Sequence, residues 1–174
     1  ADAPIVADQA GVSELVVTAS KQSESLQSVP ISIFAVSGRD LEKAGYTELN
    51  NISRLSSNVF FEAADRSKPQ IYIRGIGTRS YDAGSDSSVG VFVDGVHLGR
   101  FGALDMDLLD IERVEVLRGP QGSLYGRNTI GGAISVVTRD PSSTLKAGLT
   151  GELGASDVKG DWLYALGASV SGPI

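Results

Sequence analysis

Asp110-Ile-Glu-Arg-Val-Glu-Val-Leu-Arg-Gly-Pro-Gln-Gly-Ser-Leu-Tyr-Gly-Arg-Asn-Thr-Ile-Gly-Gly-Ala-Ile-Ser-Val-Val-Thr138 joins two strand-like segments through a connection dense in glycine. In its first half, residues 113–118 alternate, with Val114, Val116 and Arg118 on one face and Arg113, Glu115 and Leu117 on the other. Such a strand carries charge on both sides. Gly119-Pro120 ends it, because proline has no amide to donate to a ladder and glycine accepts the dihedral angles of a sharp turn. Gly122, Gly126, Gly131 and Gly132 follow closely, so the backbone there either bends repeatedly or is approached closely by another surface. Ala133 to Thr138 is rich in β-branched residues and reads as a second, more buried strand.

Upstream of this stretch, Pro30-Ile-Ser-Ile-Phe-Ala-Val36 alternates as a strand. Ser37 and the acidic Asp40 then open a helix for which Gly45 is the stop. Thr47 with Asn50, or Glu48 in the first turn, opens another helix whose Leu49, Ile52 and Leu55 share one buried face. Ile71-Tyr-Ile-Arg-Gly75 is the next strand, followed by a polar, glycine-studded loop from Ile76 to Ser88. Val89 to Val93 returns as a strand, and Asp94-Gly95 is a hairpin turn. The sum is an α+β fold, a small mixed β-sheet flanked by short helices. Ahead of it, residues 1–13 read as a mobile tail. Glu14-Leu-Val-Val-Thr-Ala-Ser20 is a brief β-prone run, either an edge strand or a segment kept available to add to a partner's sheet.

Composition narrows the chemistry. At 174 residues the chain can bury one domain core. It has no cysteine, which excludes thiolate metal sites and thiol catalysis, and its single histidine, His97, argues against zinc hydrolases and histidine-dependent triads. His97 is expected to be an ordinary polar strand or loop residue. A formal net charge of −6 is the wrong sign for a phosphate-backbone binder, so nucleic acid is not an expected partner. Neither metal nor organic cofactor is expected. Gly75-Ile-Gly-Thr-Arg-Ser80 approaches a dinucleotide fingerprint but ends in serine and runs into a polar loop. Gly122-Ser-Leu-Tyr-Gly126 lacks the spacing of a nucleophile elbow. An enzyme is not expected. The opening Ala1-Asp2-Ala3-Pro4 looks like a mature terminus left by a small-residue cleavage site, which suggests export.

The C-terminal part changes character. Leu145, Ala147, Leu149, Gly151, Leu153 and Ala155 alternate with Lys146, Gly148, Thr150, Glu152, Gly154 and Ser156, and Trp162, Tyr164, Leu166, Ala168 and Val170 keep the pattern. Each run is close to the ~9–11 residues of a tilted transmembrane strand, with apolar residues outward and polar or small ones inward. Asp157 to Asp161 is the expected loop. A lone hairpin leaves edge amides and carbonyls that lipid cannot satisfy, so further strands must complete it, from the same chain or from a second one.

The quoted stretch, together with Val29-Pro30-Ile31-Ser32, Ile73-Arg74-Gly75 and Val91-Phe92-Val93-Asp94-Gly95-Val96, resembles the plug-domain signature of TonB-dependent outer-membrane receptors. The similarity runs from about Glu14 to Ile174; Ser123 and Ser135 stand where that pattern often has threonine and asparagine. The resemblance implies a tail with a TonB box in residues 1–20, a plug in 21–141 and the first two antiparallel strands of a transmembrane β-barrel in 142–174. It implies that Glu14, Leu15, Val16, Val17, Thr18 and Ala19 form the box that the periplasmic partner TonB grips. It implies that Arg74 and Arg118 lock the plug to glutamates on the inner barrel wall, and that the outward loops bind cargo. Arg79, Tyr81 and Asp82 after Gly77, with Arg100 and Phe101 after Leu98, are the expected ligand contacts. Ferric siderophore is the first cargo the family suggests, with haem, cobalamin and glycan as alternatives. The rival of another class is a plug-like periplasmic module that binds TonB without transporting anything.

Overall fold

The computed structural model describes residues 16–17, 24–25, 31–62, 69–80, 82, 85–99, 106–155 and 162–173. In chain order the described strands are β1 (Val16–Val17), β2 (Glu24–Ser25), β3 (Ile33–Ser37), β4 (Val59–Glu62), β5 (Gln70–Ile73), β6 (Ile76–Gly77), β7 (Val89–Val93), β8 (Val96–His97), β9 (Ile111–Arg118), β10 (Gly132–Thr138), β11 (Lys146–Ala155) and β12 (Trp162–Ser171). The helices are α1 (Gly38–Lys43), α2 (Ile52–Leu55) and α3 (Gly122–Tyr125), with a 3-10 turn over Leu49–Asn51 leading into α2.

The quoted stretch supplies the centre. β9 and β10 pair antiparallel, and they sit in a five-stranded sheet of order β3-β9-β10-β7-β8. β10 runs parallel to β7, so the sheet is mixed, as its sequence pattern predicts. One face of the sheet builds the main core, where Val114, Val116, Ile134, Val136, Val89 and Val91 meet Leu41, Leu49, Ile52 and the buried residues of β4 and β5. The other face carries Leu117, Ala133 and Phe92, covered by Val17, Ile31, Ile33 and Tyr125. Both faces of the central strands are therefore dry.

The signals of α1 act as expected, whereas no side-chain hydrogen bond caps the start of the second helical segment. Ser37 caps α1 by accepting a hydrogen bond from the Asp40 amide, and Gly45 ends it at φ 69° while Tyr46 N–H returns to the Leu41 carbonyl. Leu49 and Ile52 are buried and Leu55 packs beside them, although the first turn is 3-10 rather than α. Asp94-Gly95 forms the β7–β8 turn with φ 47° and 80°, and the Asp94 carboxylate accepts from both the amide and the hydroxyl of Thr138.

The glycines of the connection divide between both expected uses. Gly119 makes a bend at φ 92° with open space around it. Gly132 is both strained and crowded, since φ is 147° and an added Cβ would lie 2.3 Å from the Leu117 carbonyl oxygen.

Two readings need correction. Ile71 to Gly75 is not one strand: β5 ends at Ile73, Arg74-Gly75 is a two-residue turn, and Ile76-Gly77 returns antiparallel as β6. The run from Ile76 to Ser88 therefore opens with a strand, and β4, which has no strong sequence signal, completes a three-stranded sheet β4-β5-β6.

β11 and β12 form a separate antiparallel hairpin, 10 residues on each side. Its register sets Leu149 opposite Ala168, Gly151 opposite Leu166 and Leu153 opposite Tyr164. The apolar positions of both strands therefore share one face, and Leu149, Leu153, Tyr164 and Leu166 are exposed. On the other face Gly167 closes on Leu109 of the main fold. No helix among the described residues is long and apolar enough to cross a membrane.

Candidate functional site: two arginines on one serine

The β5–β6 turn holds Arg74 at φ 53° and Gly75 at φ 79°. A two-residue turn of this hand favours Asn or Asp at its first position, so arginine sits there at some conformational cost. Its amide donates to the Asn58 carbonyl at 2.8 Å, and its Nη2 donates to Ser32 Oγ at 2.9 Å. Arg118 ends β9, and its amide donates to the Ser32 carbonyl at 2.9 Å. Three segments far apart in sequence thus meet at Ser32.

The Arg118 guanidinium is held by weaker partners. Nη2 donates to Ser56 Oγ at 3.0 Å, and Cζ lies 5.9 Å from the centre of the Phe34 ring. Its Nε is buried with no hydrogen-bond partner. Among the described residues neither Arg74 nor Arg118 pairs with a carboxylate. A permanent cation that is partly dehydrated, as Arg118 is, suits a carboxylate, which the planar guanidinium binds through two parallel hydrogen bonds. Sequence reasoning singled out both arginines. It quoted Ser32 without a role and missed Ser56, whose only signal is a polar residue at a helix end.

A second ionic group lies on the other face of β9. Arg113 Nε donates to Glu115 Oε1 at 2.7 Å, and Arg113 also pairs with Glu112. Glu115 is 0% exposed. Burial first, and then the Glu115 charge, push the Tyr125 hydroxyl up to about 12. The Tyr125 ring meets Phe92 edge-on at 4.9 Å, and the His97 ring at the end of β8 lies 5.1 Å from Phe92. The alternation of β9 marks Arg113 and Glu115 as charged but gives no sign that they are buried.

Val17 belongs to this second face. It is 0% exposed and packs with Phe92, Leu117 and Ala133, while β1 pairs antiparallel with β2. Val16 and Val17 therefore have a strand partner, in keeping with the edge-strand reading of this run, and Val17 has a docking surface that the sequence did not suggest. Glu14, Leu15, Thr18 and Ala19 lie outside the described residues.

The expected ligand contacts separate. Arg79 lines a cleft of ≈ 490 Å³ with Phe60, Glu62, Tyr72, Gly75 and Gly77. Phe60 and Tyr72 are cross-strand partners there, and Phe60 is 58% exposed. Sequence reasoning missed both; cross-strand alternation of aromatic residues was the available signal. Asp82 accepts from the Ser80 hydroxyl at 2.9 Å and does not line the cleft. Tyr81, Arg100 and Phe101 lie outside the described residues. No group of three or more metal-ligating side chains gathers among the described residues.

Comparison with known proteins now adds to this geometry. A family model described as "TonB-dependent Receptor Plug Domain" matches residues 25–133. The pesticin receptor of Yersinia pestis is 35% identical over 164 residues, which is 93% of this chain and 23% of that protein. The chain thus spans about a quarter of the length of the curated relatives it matches. Among solved structures, the ferric yersiniabactin uptake receptor of Yersinia pestis aligns with TM-score 0.65 and 30% identity, over 83% of this chain and 22% of that one. The ferripyoverdine receptor of the Pseudomonas aeruginosa outer membrane aligns with TM-score 0.72 over 91% of this chain and 20% of that one; at 22% identity it speaks for the fold.

Proposed function

The chain belongs to the TonB-dependent receptor plug-domain family, and from that premise we propose that it stoppers an outer-membrane barrel through which a ferric siderophore is taken up. In this reading residues 21–141 are the plug, 142–174 the first barrel hairpin and 1–20 the tail whose Glu14 to Ala19 TonB pulls from the periplasm. The observation that carries it is the arginine pair at Ser32. Arg74 and Arg118 present guanidinium groups with no carboxylate among the described residues, and Arg118 Nε is buried unpaired. Glutamates on an inner barrel wall would complete both. A buried pair of this kind loses ~3–5 kcal/mol when one partner is removed, enough to hold a plug and still polar enough to rearrange.

The open apolar face of the β11–β12 hairpin supports a lipid-facing wall, since each strand has the length such a wall needs. The cleft beside Arg79 offers aromatic surface and charges of both signs, Glu62 lining it together with Arg79, which supports contact with a polar iron chelate. The cargo class is supported by the names of relatives, which include uptake of ferric yersiniabactin. Val17 must leave its seat on the sheet before TonB can add the box to its own strands. The test is uptake of radiolabelled iron, supplied as ferric yersiniabactin or ferripyoverdine, by cells in which this receptor is the only route. Accumulation that requires residues 14–19 supports the reading. Equal accumulation without them refutes it.

A further inference from the structure

Ser32 stands where the N-terminal segment joins the sheet. Its hydroxyl accepts from Arg74 and its carbonyl accepts from the Arg118 amide. Directly after it begins β3, an edge strand of the five-stranded sheet, paired antiparallel to β9 with Ile33 opposite Leu117. The end of β3 nearest the N-terminus therefore lies at the arginine end of β9. Traction arriving from the N-terminal side reaches the Ser32 bonds before any rung of the β3–β9 ladder. Fully extended, the chain between Val17 and Ser32 spans at most roughly 50 Å, and traction reaches Ser32 once that chain is taut.

We propose that Ser32 is a positioning residue that makes tension on the N-terminal segment and release of Arg74 and Arg118 a single event. It rests on the reading of the two arginines as the plug's lock. With Val17 seated, the serine holds Arg74 across a turn that would otherwise relax, and it fixes the Arg118 backbone. Drawing Ser32 away removes one hydrogen bond from each arginine at once. Arg74 then loses the acceptor that orients its guanidinium, and Arg118 loses the backbone bond that anchors the end of β9 beneath its side chain. An edge strand suits this task, since it leaves its sheet by breaking one ladder rather than two. The strained backbone of Arg74 fits a side chain held by its tip rather than by its turn.

The test is constant-load pulling on the N-terminus of the membrane-embedded receptor, comparing wild type with Ser32→Ala, Ser32→Thr and an Arg74→Gln/Arg118→Gln double variant. Ser32→Ala keeps the carbonyl and loses the hydroxyl acceptor, so the state preceding the first rupture of the taut chain is expected to live about tenfold less long, the loss of one charged hydrogen bond. Ser32→Thr restores the lifetime, and later ruptures are unchanged in both. Ser53→Ala, whose hydroxyl serves only the local Asn50 carbonyl, leaves every lifetime unchanged. A wild-type lifetime in Ser32→Ala, with a shortened one in the arginine double variant, overturns the role of Ser32 and leaves the lock standing. An unchanged lifetime in the arginine double variant overturns the lock and this proposal with it.

Discussion

Arg74 occupies a backbone conformation that asparagine adopts more readily, and its side chain reaches across the fold to Ser32. Residues kept at such positions mark places where function outweighs local stability. Arg74→Asn relieves turn strain but gives up the charged hydrogen bond to Ser32, two opposed contributions of similar size, so thermal or denaturant unfolding is expected to change by less than about 1 kcal/mol. The same substitution should reduce siderophore uptake. On the opposite face, Glu115→Ala removes one of the two carboxylates that the buried Arg113 binds, leaving Glu112, and should cost ~1–3 kcal/mol in the same measurement. Tyr125 gives a pH signature. Its hydroxyl is pushed up to about 12 by burial and by Glu115, so the folded chain keeps a proton that the unfolded chain loses near 10. Stability is then fully present below pH 10 and falls between about 10 and 12, and Tyr125→Phe should flatten that fall in unfolding curves measured across this range. Much at this scale was legible: both arginines carry motifs. The serines that hold them were not, because hydrogen bonds spanning 42 and 62 positions depend on a register that no local pattern encodes.

Elements were most legible where the period of the side chains had one answer. β9, β10, β7 and the two long strands of the hairpin alternate clearly, and the caps of α1 carry their own chemistry. The β5–β6 turn was misread because Ile-Arg-Gly-Ile continues a β-prone run and its first turn residue is not the asparagine or aspartate that signals this bend. The burial of Arg113 and Glu115 was hidden for another reason. Charged residues on one face of a strand ordinarily mean solvent, and the residues that cover this face, Val17 and Ile31 among them, come from a distant segment. Packing between elements also sets a limit on change. At Gly38, which opens α1, a Cβ would fall 1.9 Å from the Ile111 carbonyl oxygen of β9. Gly38→Ala should therefore push α1 off the sheet and cost about 2 kcal/mol or more in denaturant unfolding, despite the higher helix propensity of alanine.

The whole molecule is a two-sided sheet with a hairpin attached whose apolar face meets no protein among the described residues. In the proposed receptor that face meets lipid, the opposite face meets the plug through Gly167 and Leu109, and the unpaired arginines meet the wall. The family was readable because several of its motifs meet at Ser32, whereas cargo was not, because ligand contacts depend on loop geometry that no local pattern encodes. In the proposed receptor, TonB pulls the plug to admit an iron chelate, and the rest follows from that step. It is tested most directly by measuring accumulation of ferric yersiniabactin in cells that carry this receptor alone, with and without TonB. Surface binding is expected in both strains and accumulation only where TonB is present. Equal accumulation in the two strains would contradict it.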